Sequence, residues 1–388
     1  MNPRQEFEDR LAATLADLRE AGLLRQMRLA DGIDLVSNDY LGLADHPELT
    51  GAMRAALVDL SAGSGGSRLL RGHHEIFEII EARLAAFSRC EAALLFGSGY
   101  AANIGLLQSV VSPDDLVVSD AHNHASLIDG IRLTKARTVI YPHQDLDALQ
   151  AALAQPRRGR AIVITESVFS MDGDLTPLVD VCAIAERAGA IVIVDEAHAT
   201  GMYGERGSGR IEQLGLRDRV VATIHTGGKA LGCGGAWVAG SRALRDVLVN
   251  RARSFIFSTA PLPVLGAALG AAVNLIEREP QRRDDVVRKS SLLRSALRDA
   301  GVHAGGESMI VPIIVGGNEA ATALQSGLSE AGFDVRAIRP PSVALGTARL
   351  RVTVRYPVAD ADLLRFTSEV ARLTHTVEIG PDSLAANR

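Results

Sequence analysis

The stretch Ala190-Ile191-Val192-Ile193-Val194-Asp195-Glu196-Ala197-His198 decides the fold. Four consecutive β-branched residues after an alanine form an apolar run with no alternation, the composition of a strand buried on both faces. The run ends on a carboxylate, with an imidazole three residues further on. Six other runs share this character: Ala92-Phe96, Leu116-Ser119, Thr138-Tyr141, Ala161-Thr165, Val220-His225 and Ala236-Ala239. Helical stretches lie between most of them, so the pattern predicts an α/β fold: a mostly parallel central sheet with helices on both faces.

Working outward, the apolar residues Phe7, Leu11, Leu15 and Leu18 recur at helical spacing ahead of Gly22. They predict an N-terminal amphipathic arm. Thr176-Pro177 is expected to cap a helix running to Ala188 and ended by Gly189. Val264 to about Ala300 reads as helix throughout. Beyond it come Ile310-Val315, a helix near Ala320-Ala331, then Val335-Ile338, Leu350-Val354 and a last helix near Ala361-Thr374, which together predict a small α/β C-terminal domain. The expected division is 1–45 as an arm, 46–285 as a large domain and 286–388 as a small one, with a frayed tail after Gly380.

With a net charge of −5 and no Lys/Arg run, the chain lacks the basic footprint that nucleic acid or an anionic membrane surface would need. The N-terminus has no apolar signal core, and the longest apolar stretch, Val264 to Ile276, is too short to span a bilayer. A cytoplasmic protein is expected. Cys90, Cys182 and Cys233 are widely spaced and odd in number, which suggests reduced, mostly buried thiols rather than disulfides or a zinc site.

In open parallel sheets ligands lie beyond the carboxyl ends of the strands, so polar residues there carry the chemistry. Besides Asp195 and His198, these are Glu166 to Asp174, the group Asp120-Ala121-His122-Asn123-His124-Ala125-Ser126, and Thr226-Gly227-Gly228-Lys229. An amine, a carboxylate and a strand-to-helix junction at Gly97-Ser98-Gly99-Tyr100 are what pyridoxal phosphate requires: a lysine for its aldehyde, an anion for its ring nitrogen, and N–H donors for its phosphate. Each feature alone has a simpler reading. A strand-end carboxylate is often a cap, and a lysine after two glycines is often a solvated turn. Asp120, His122 and His124 resemble a metal cluster, but no further His-x-His or Cys supports one, so no metal is expected. Gly63-Ser64-Gly65-Gly66-Ser67 follows no apolar strand, and Ala230 stands where a P-loop needs Ser or Thr.

Taken together, Ser37-Asn38-Asp39-Tyr40-Leu41-Gly42-Leu43, Gly63-Ser64-Gly65-Gly66-Ser67-Arg68, Ser98 to Asn103, His124-Ala125-Ser126, Ser170 to Asp174, Asp195 to His198, Thr226 to Lys229 and Ser258-Thr259 resemble the α-oxoamine synthases. These are a branch of the fold-type I pyridoxal 5'-phosphate enzymes, and the resemblance covers nearly the whole chain. Ala337-Ile338-Arg339-Pro340-Pro341-Ser342-Val343 and Gly346 to Arg351 look most like the biotin-pathway branch of that family.

The resemblance implies that Lys229 binds the cofactor covalently, Asp195 holds the pyridine nitrogen, and His124 stacks on the ring. It implies further that His198 and Ser170 bond the phenolic oxygen, while Ser98, Gly99, Tyr100 and Thr226 hold the phosphate. Ser258 and Thr259 would reach that phosphate from the other subunit of a homodimer. Arg25, Asn38 and Arg351 would bind substrate: L-alanine, and a pimeloyl group carried on coenzyme A or on an acyl carrier protein. The implied reaction is a decarboxylative condensation; a relative using glycine or serine with another acyl-CoA is the nearest alternative. Three departures stand out. His225 precedes Thr226, Gly227 occupies a position where Leu or Phe is commoner, implying looser packing beneath the cofactor, and Ser342 and Ala344 replace the usual Thr and Pro.

Overall fold

Twelve strands and the helices between them are described by a computed structural model covering residues 2–374, so the tail after Gly380 lies outside the described residues. The strands are β1 Ile33–Asp34, β2 Ala92–Phe96, β3 Leu116–Asp120, β4 Arg137–Tyr141, β5 Ala161–Glu166, β6 Ala190–Asp195, β7 Ala222–Thr226, β8 Ala236–Gly240, β9 Ile310–Gly316, β10 Phe333–Asp334, β11 Ala337–Ile338 and β12 Ala348–Thr353. Seven of them form one sheet in the order β2-β8-β7-β6-β5-β3-β4, parallel except for β8, which runs antiparallel to both neighbours. The apolar run at Ala190 is its middle strand.

Alternation along these strands divides the core in two. Val117, Ile162, Ile164 and Ile193 face one way, toward helices Gly99–Val110 and Ala125–Thr134, while Leu116, Val118, Val163, Val192 and Val194 face helices Leu146–Leu153 and Leu178–Arg187. Burial on both faces is why these strands carry unbroken apolar sequence. Register aligns Glu166 beside Asp195, so two carboxyl groups emerge together at the strand ends.

The C-terminal part builds the three-stranded sheet β11-β12-β9, with helices Asn318–Glu330 and Asp360–Thr374. β1, from the N-terminal part, pairs in parallel with β10. A third apolar cluster runs without interruption from Leu35 and Tyr40 through Leu231 and Leu269 to Val352 and Phe366, joining the small sheet to the large one. The arm helix, Pro3–Glu20, is capped by the Asn2 side chain at Arg4 N and buries no residue.

Three expectations are corrected. Helix Val264–Arg278 and helix Gln281–Asp299 are separate, because Pro280 lacks the N–H that would continue the ladder. Thr176 is not a cap: its hydroxyl donates to Glu166 O at 2.5 Å, and helix Leu178–Arg187 begins after Pro177 without a side-chain cap. Of the three free cysteines only Cys182 is buried, Cys90 and Cys233 being half-buried.

Candidate active site

Asp195 ends β6 and is held from two sides. Its Oδ1 accepts from Ala197 N and its Oδ2 from Asn103 Nδ2, both at 2.8 Å. Asn103 comes from helix Gly99–Val110 and also donates to Ser126 Oγ at 2.9 Å, so two helices on one face of the sheet fix the carboxylate. Among the described residues no Arg or Lys forms an ion pair with Asp195 within 4.0 Å. Its charge is therefore available to a ligand.

His124 is the N-cap of helix Ala125–Thr134. Its Nδ1 accepts from Ser126 N at 3.2 Å and lies 2.7 Å from Ser126 Oγ. Burial holds the imidazole below its usual range, with Asp195 opposing and Lys229 adding to the effect. The His124 N–H donates to Glu166 Oε1 at 2.6 Å. Burial, followed by the Asp195 charge, pushes the Glu166 carboxyl well above the usual carboxylate range.

Lys229 follows the β7 strand end, where Gly228 N donates to Thr226 Oγ1 at 3.2 Å and Gly227 N to Gly235 O at 2.9 Å. Burial pushes its ammonium down to about 8, with Asp195 and Glu166 pulling it back up and Arg351 pushing it further down. Packing beneath this turn is tight, contrary to the expectation for Gly227. A Cβ there would meet Gly234 O at 2.4 Å and Leu269 Cδ2 at 2.7 Å, so backbone fills the space the missing side chain would take. The unusual His225 is a satisfied core residue, stacked on Trp237 at 4.9 Å and bonded to Thr200 and Thr223 hydroxyls at 2.9 and 2.8 Å.

His198 is buried with Nδ1 2.6 Å from the Tyr40 hydroxyl. Burial, then Lys229, Arg351 and His124, hold its pKa well below the usual value, so the ring is neutral. Arg351, on β12, donates from Nε to Ser170 O, from Nη1 to Thr353 Oγ1 at 3.1 Å and from Nη2 to Asn38 Oδ1 at 3.0 Å. Asp195, His124, His198, Lys229, Thr226, Ser170, Asn38 and Arg351 thus share one electrostatic and hydrogen-bonded cluster.

The other sequence-predicted residues lie around it. Ser98 caps helix Gly99–Val110, its Oγ accepting from Ala101 N at 3.2 Å and its carbonyl from Ala102 N. The N–H groups of Gly99 and Tyr100, first in the helix, have no intrahelical acceptor, and a Cβ at Gly97 or Gly99 would meet open space. Ser258 and Thr259 are exposed and stand apart from the cluster's bonds. Arg25 is exposed too, with one bond, to Pro340 O at 3.5 Å.

Sequence reasoning missed Tyr40, Asn103 and Glu166. Each lay inside a quoted segment, and the usable signal was burial: a tyrosine or asparagine among apolar neighbours needs a hydrogen-bond partner once it is inside.

Residues 30–365 match the family model described as aminotransferase class I and II. An 8-amino-7-oxononanoate synthase of Geobacter sulfurreducens is 44% identical over 380 residues, covering 94% of this chain and 97% of that one. Another, from Mycolicibacterium smegmatis, is 43% identical over 362 residues, covering 90% and 94%. Among solved structures, a serine palmitoyltransferase from S. paucimobilis, with bound PLP-myriocin aldimine, superposes with a TM-score of 0.90 at 25% identity, covering 98% and 100%. Relatives this similar over nearly their full length, matched by a fold in which every strand-end residue of the cluster has its place, show that the chain belongs to the aminotransferase class I and II family and, within it, to the 8-amino-7-oxononanoate synthases.

Proposed function

We propose that this protein condenses L-alanine with a pimeloyl thioester, with loss of carbon dioxide, to give 8-amino-7-oxononanoate, using pyridoxal 5'-phosphate. One observation carries the reading: a lysine amine lowered to about 8 shares a cluster with the buried Asp195 carboxylate, which among the described residues forms no ion pair within 4.0 Å. The donor set fits the cofactor at each end. An amine suits its aldehyde, an anion its ring nitrogen, and the free N–H groups of Gly99 and Tyr100 at a helix N-terminus its phosphate.

Bound in this site, the cofactor supplies an electron sink for the bonds broken at the amino acid's Cα. Lys229 would hold it covalently and, with its Nζ free, would take the Cα proton. In the cofactor-free site burial already brings that amine down to about 8, toward the range a general base needs near neutrality. Asp195, oriented by Asn103 and Ala197 N, would hold the pyridine nitrogen in its protonated form. His124 would stack on the ring, His198 with Ser170 would bond the phenolic oxygen, and Thr226 would join the helix N-terminus in holding the phosphate. Arg351 binds the amino acid's carboxylate with Asn38 beside it, and Arg25 lies on the acyl side.

The reading includes a homodimer in which Ser258 and Thr259 of the second copy complete the phosphate site. Exposed Leu69, Leu70, Phe257 and Leu262 support it. They sit on two loops pinned together by Ser64 and by Ala260 N, the latter donating to Gly66 O at 2.9 Å, and they offer apolar surface beside those two residues.

The test is kcat/KM for the four combinations of L-alanine or glycine with pimeloyl or acetyl thioester. Alanine with the pimeloyl thioester is expected to lead. The margin over glycine should be modest, since one methyl in an apolar pocket is worth about 1–3 kcal/mol. Glycine with acetyl-CoA leading would overturn the substrate assignment in favour of another family activity.

A further inference from the structure

We propose that Tyr40 is a positioning residue whose hydroxyl couples the tautomer of the His198 ring to carboxylate binding at Arg351. The inference rests on the functional reading above for what binds Arg351, and on geometry for everything else. Tyr40 is fully buried; its hydroxyl has two acceptors within reach of its proton, His198 Nδ1 at 2.6 Å and Asn38 Oδ1 at 3.1 Å, and the Arg351 guanidinium donates toward its oxygen. Asn38 Oδ1 also accepts from Arg351 Nη2 at 3.0 Å. Burial pushes the phenol up to about 12, with Arg351 pulling it down, so the hydroxyl keeps its proton.

A phenol with one proton and two partners has two arrangements. In one, Tyr40 donates to His198 Nδ1, and the neutral ring carries its hydrogen on Nε2. In the other, Tyr40 donates to Asn38, and His198 donates from Nδ1 to the phenol oxygen, leaving Nε2 a bare acceptor. The ring holds one proton throughout, so its charge does not change. The proton moves between its nitrogens by exchange with water or with the group that Nε2 faces.

Arg351 decides between them. While its guanidinium engages Asn38 Oδ1, that oxygen is a poorer acceptor and the phenol proton turns to His198. A carboxylate drawing Nη2 away frees the oxygen for Tyr40, and the ring passes to the Nδ1–H form. The same imidazole is thereby a donor from Nε2 before the amino acid binds and an acceptor afterwards.

The experiment reads the ring nitrogens of 15N-histidine-labelled protein, with His198 assigned by its loss in His198→Gln. In cofactor-loaded protein, saturating L-alanine is expected to exchange the shifts of Nδ1 and Nε2, and Tyr40→Phe, which keeps the side-chain volume, to abolish the exchange. In protein stripped of cofactor, with no amino acid present, Arg351→Met is expected to give the Nδ1–H form. One tautomer under all these conditions, or an exchange that persists in Tyr40→Phe, overturns the proposal. Failure to take up pyridoxal phosphate would instead defeat the functional reading, and the stripped-protein comparison would still decide the role of Tyr40. Should one variant not fold, the other still carries the test.

Discussion

Asn103 Nδ2 lies 2.8 Å from Asp195 Oδ2 and 2.9 Å from Ser126 Oγ, so a single amide ties the middle strand of the sheet to the two helices covering it. Replacing Asn103 with Ala removes a buried bond to a charged acceptor, which is expected to cost about 1.5–3 kcal/mol in unfolding experiments. Asp195→Asn should leave the fold in place and depress turnover far more, because a neutral partner no longer favours a protonated ring nitrogen. Near-normal kcat in Asp195→Asn would show that another group holds that nitrogen.

The chain has three lysines. Lys135 is exposed in a left-handed turn, and Lys289 is committed to Tyr356 O at 2.7 Å and Asp285 at 2.7 Å. Borohydride reduction followed by peptide mapping is therefore expected to place the cofactor on Lys229, and Lys229→Ala to lose both the adduct and turnover. Label on either other lysine would refute the assignment.

Two half-buried bases should move stability with pH in opposite directions. Lys229 has a folded pKa of about 8, below its unfolded value, so between pH 8 and about 10.4 the unfolded chain binds more protons and stability rises with pH. In cofactor-free protein, Lys229→Met should raise the melting temperature at pH 7, by a margin that narrows above pH 8.

His143 shows the reverse behaviour. It bridges Asp120 Oδ1 at 2.8 Å and Asp174 Oδ2 at 2.6 Å; burial alone would lower its pKa, but bonds to Asp120 and Asp174 outweigh that and bring it to about 10. A raised folded pKa means stabilisation that is complete below about pH 6.5 and lost as the pH climbs to 10. His143→Gln is expected to cost about 1.5–3 kcal/mol at pH 6 and almost nothing at pH 10. A deficit independent of pH would show that packing on His122, stacked at 4.1 Å, is what the ring supplies.

Restoring the commoner residue at Gly227 should harm this protein. With Gly234 O 2.4 Å from the site of a new Cβ, Gly227→Leu overpacks the turn under Lys229, with an expected loss of about 1–3 kcal/mol in thermal or denaturant unfolding. Unchanged stability would mean that the loop at Gly234 gives way.

The inner strands of the large sheet were legible from their apolar runs, because burial on both faces writes an unbroken signal into consecutive residues; the edge strand β4, mostly exposed, was legible instead from its β-branched residues. Asp195, His124 and Lys229 were legible for a related reason: they follow those runs directly. Tyr40 and Asn103 depend instead on which distant segment packs against them, and no local spacing records that. The helix from Val264 was read too long because its apolar periodicity continues on both sides of Pro280, and periodicity carries no information about a missing N–H. The tight turn at Gly227 escaped for a comparable reason, since the atoms filling it belong to backbone seven residues away.

The bond between Arg351 and Asn38 spans 313 positions, and the β1–β10 pairing closes a loop of similar length. During synthesis Tyr40 must wait 158 residues for His198, and Asn38 313 residues for Arg351. Closure entropy grows slowly with length, so the long wait costs little in equilibrium stability but defers these contacts to the end of folding. A nascent chain arrested at residue 309 would hold every strand of the seven-stranded sheet yet have no guanidinium opposite Asn38. The bond that positions the Arg351 guanidinium is thus made only after every strand of the large sheet has been synthesised.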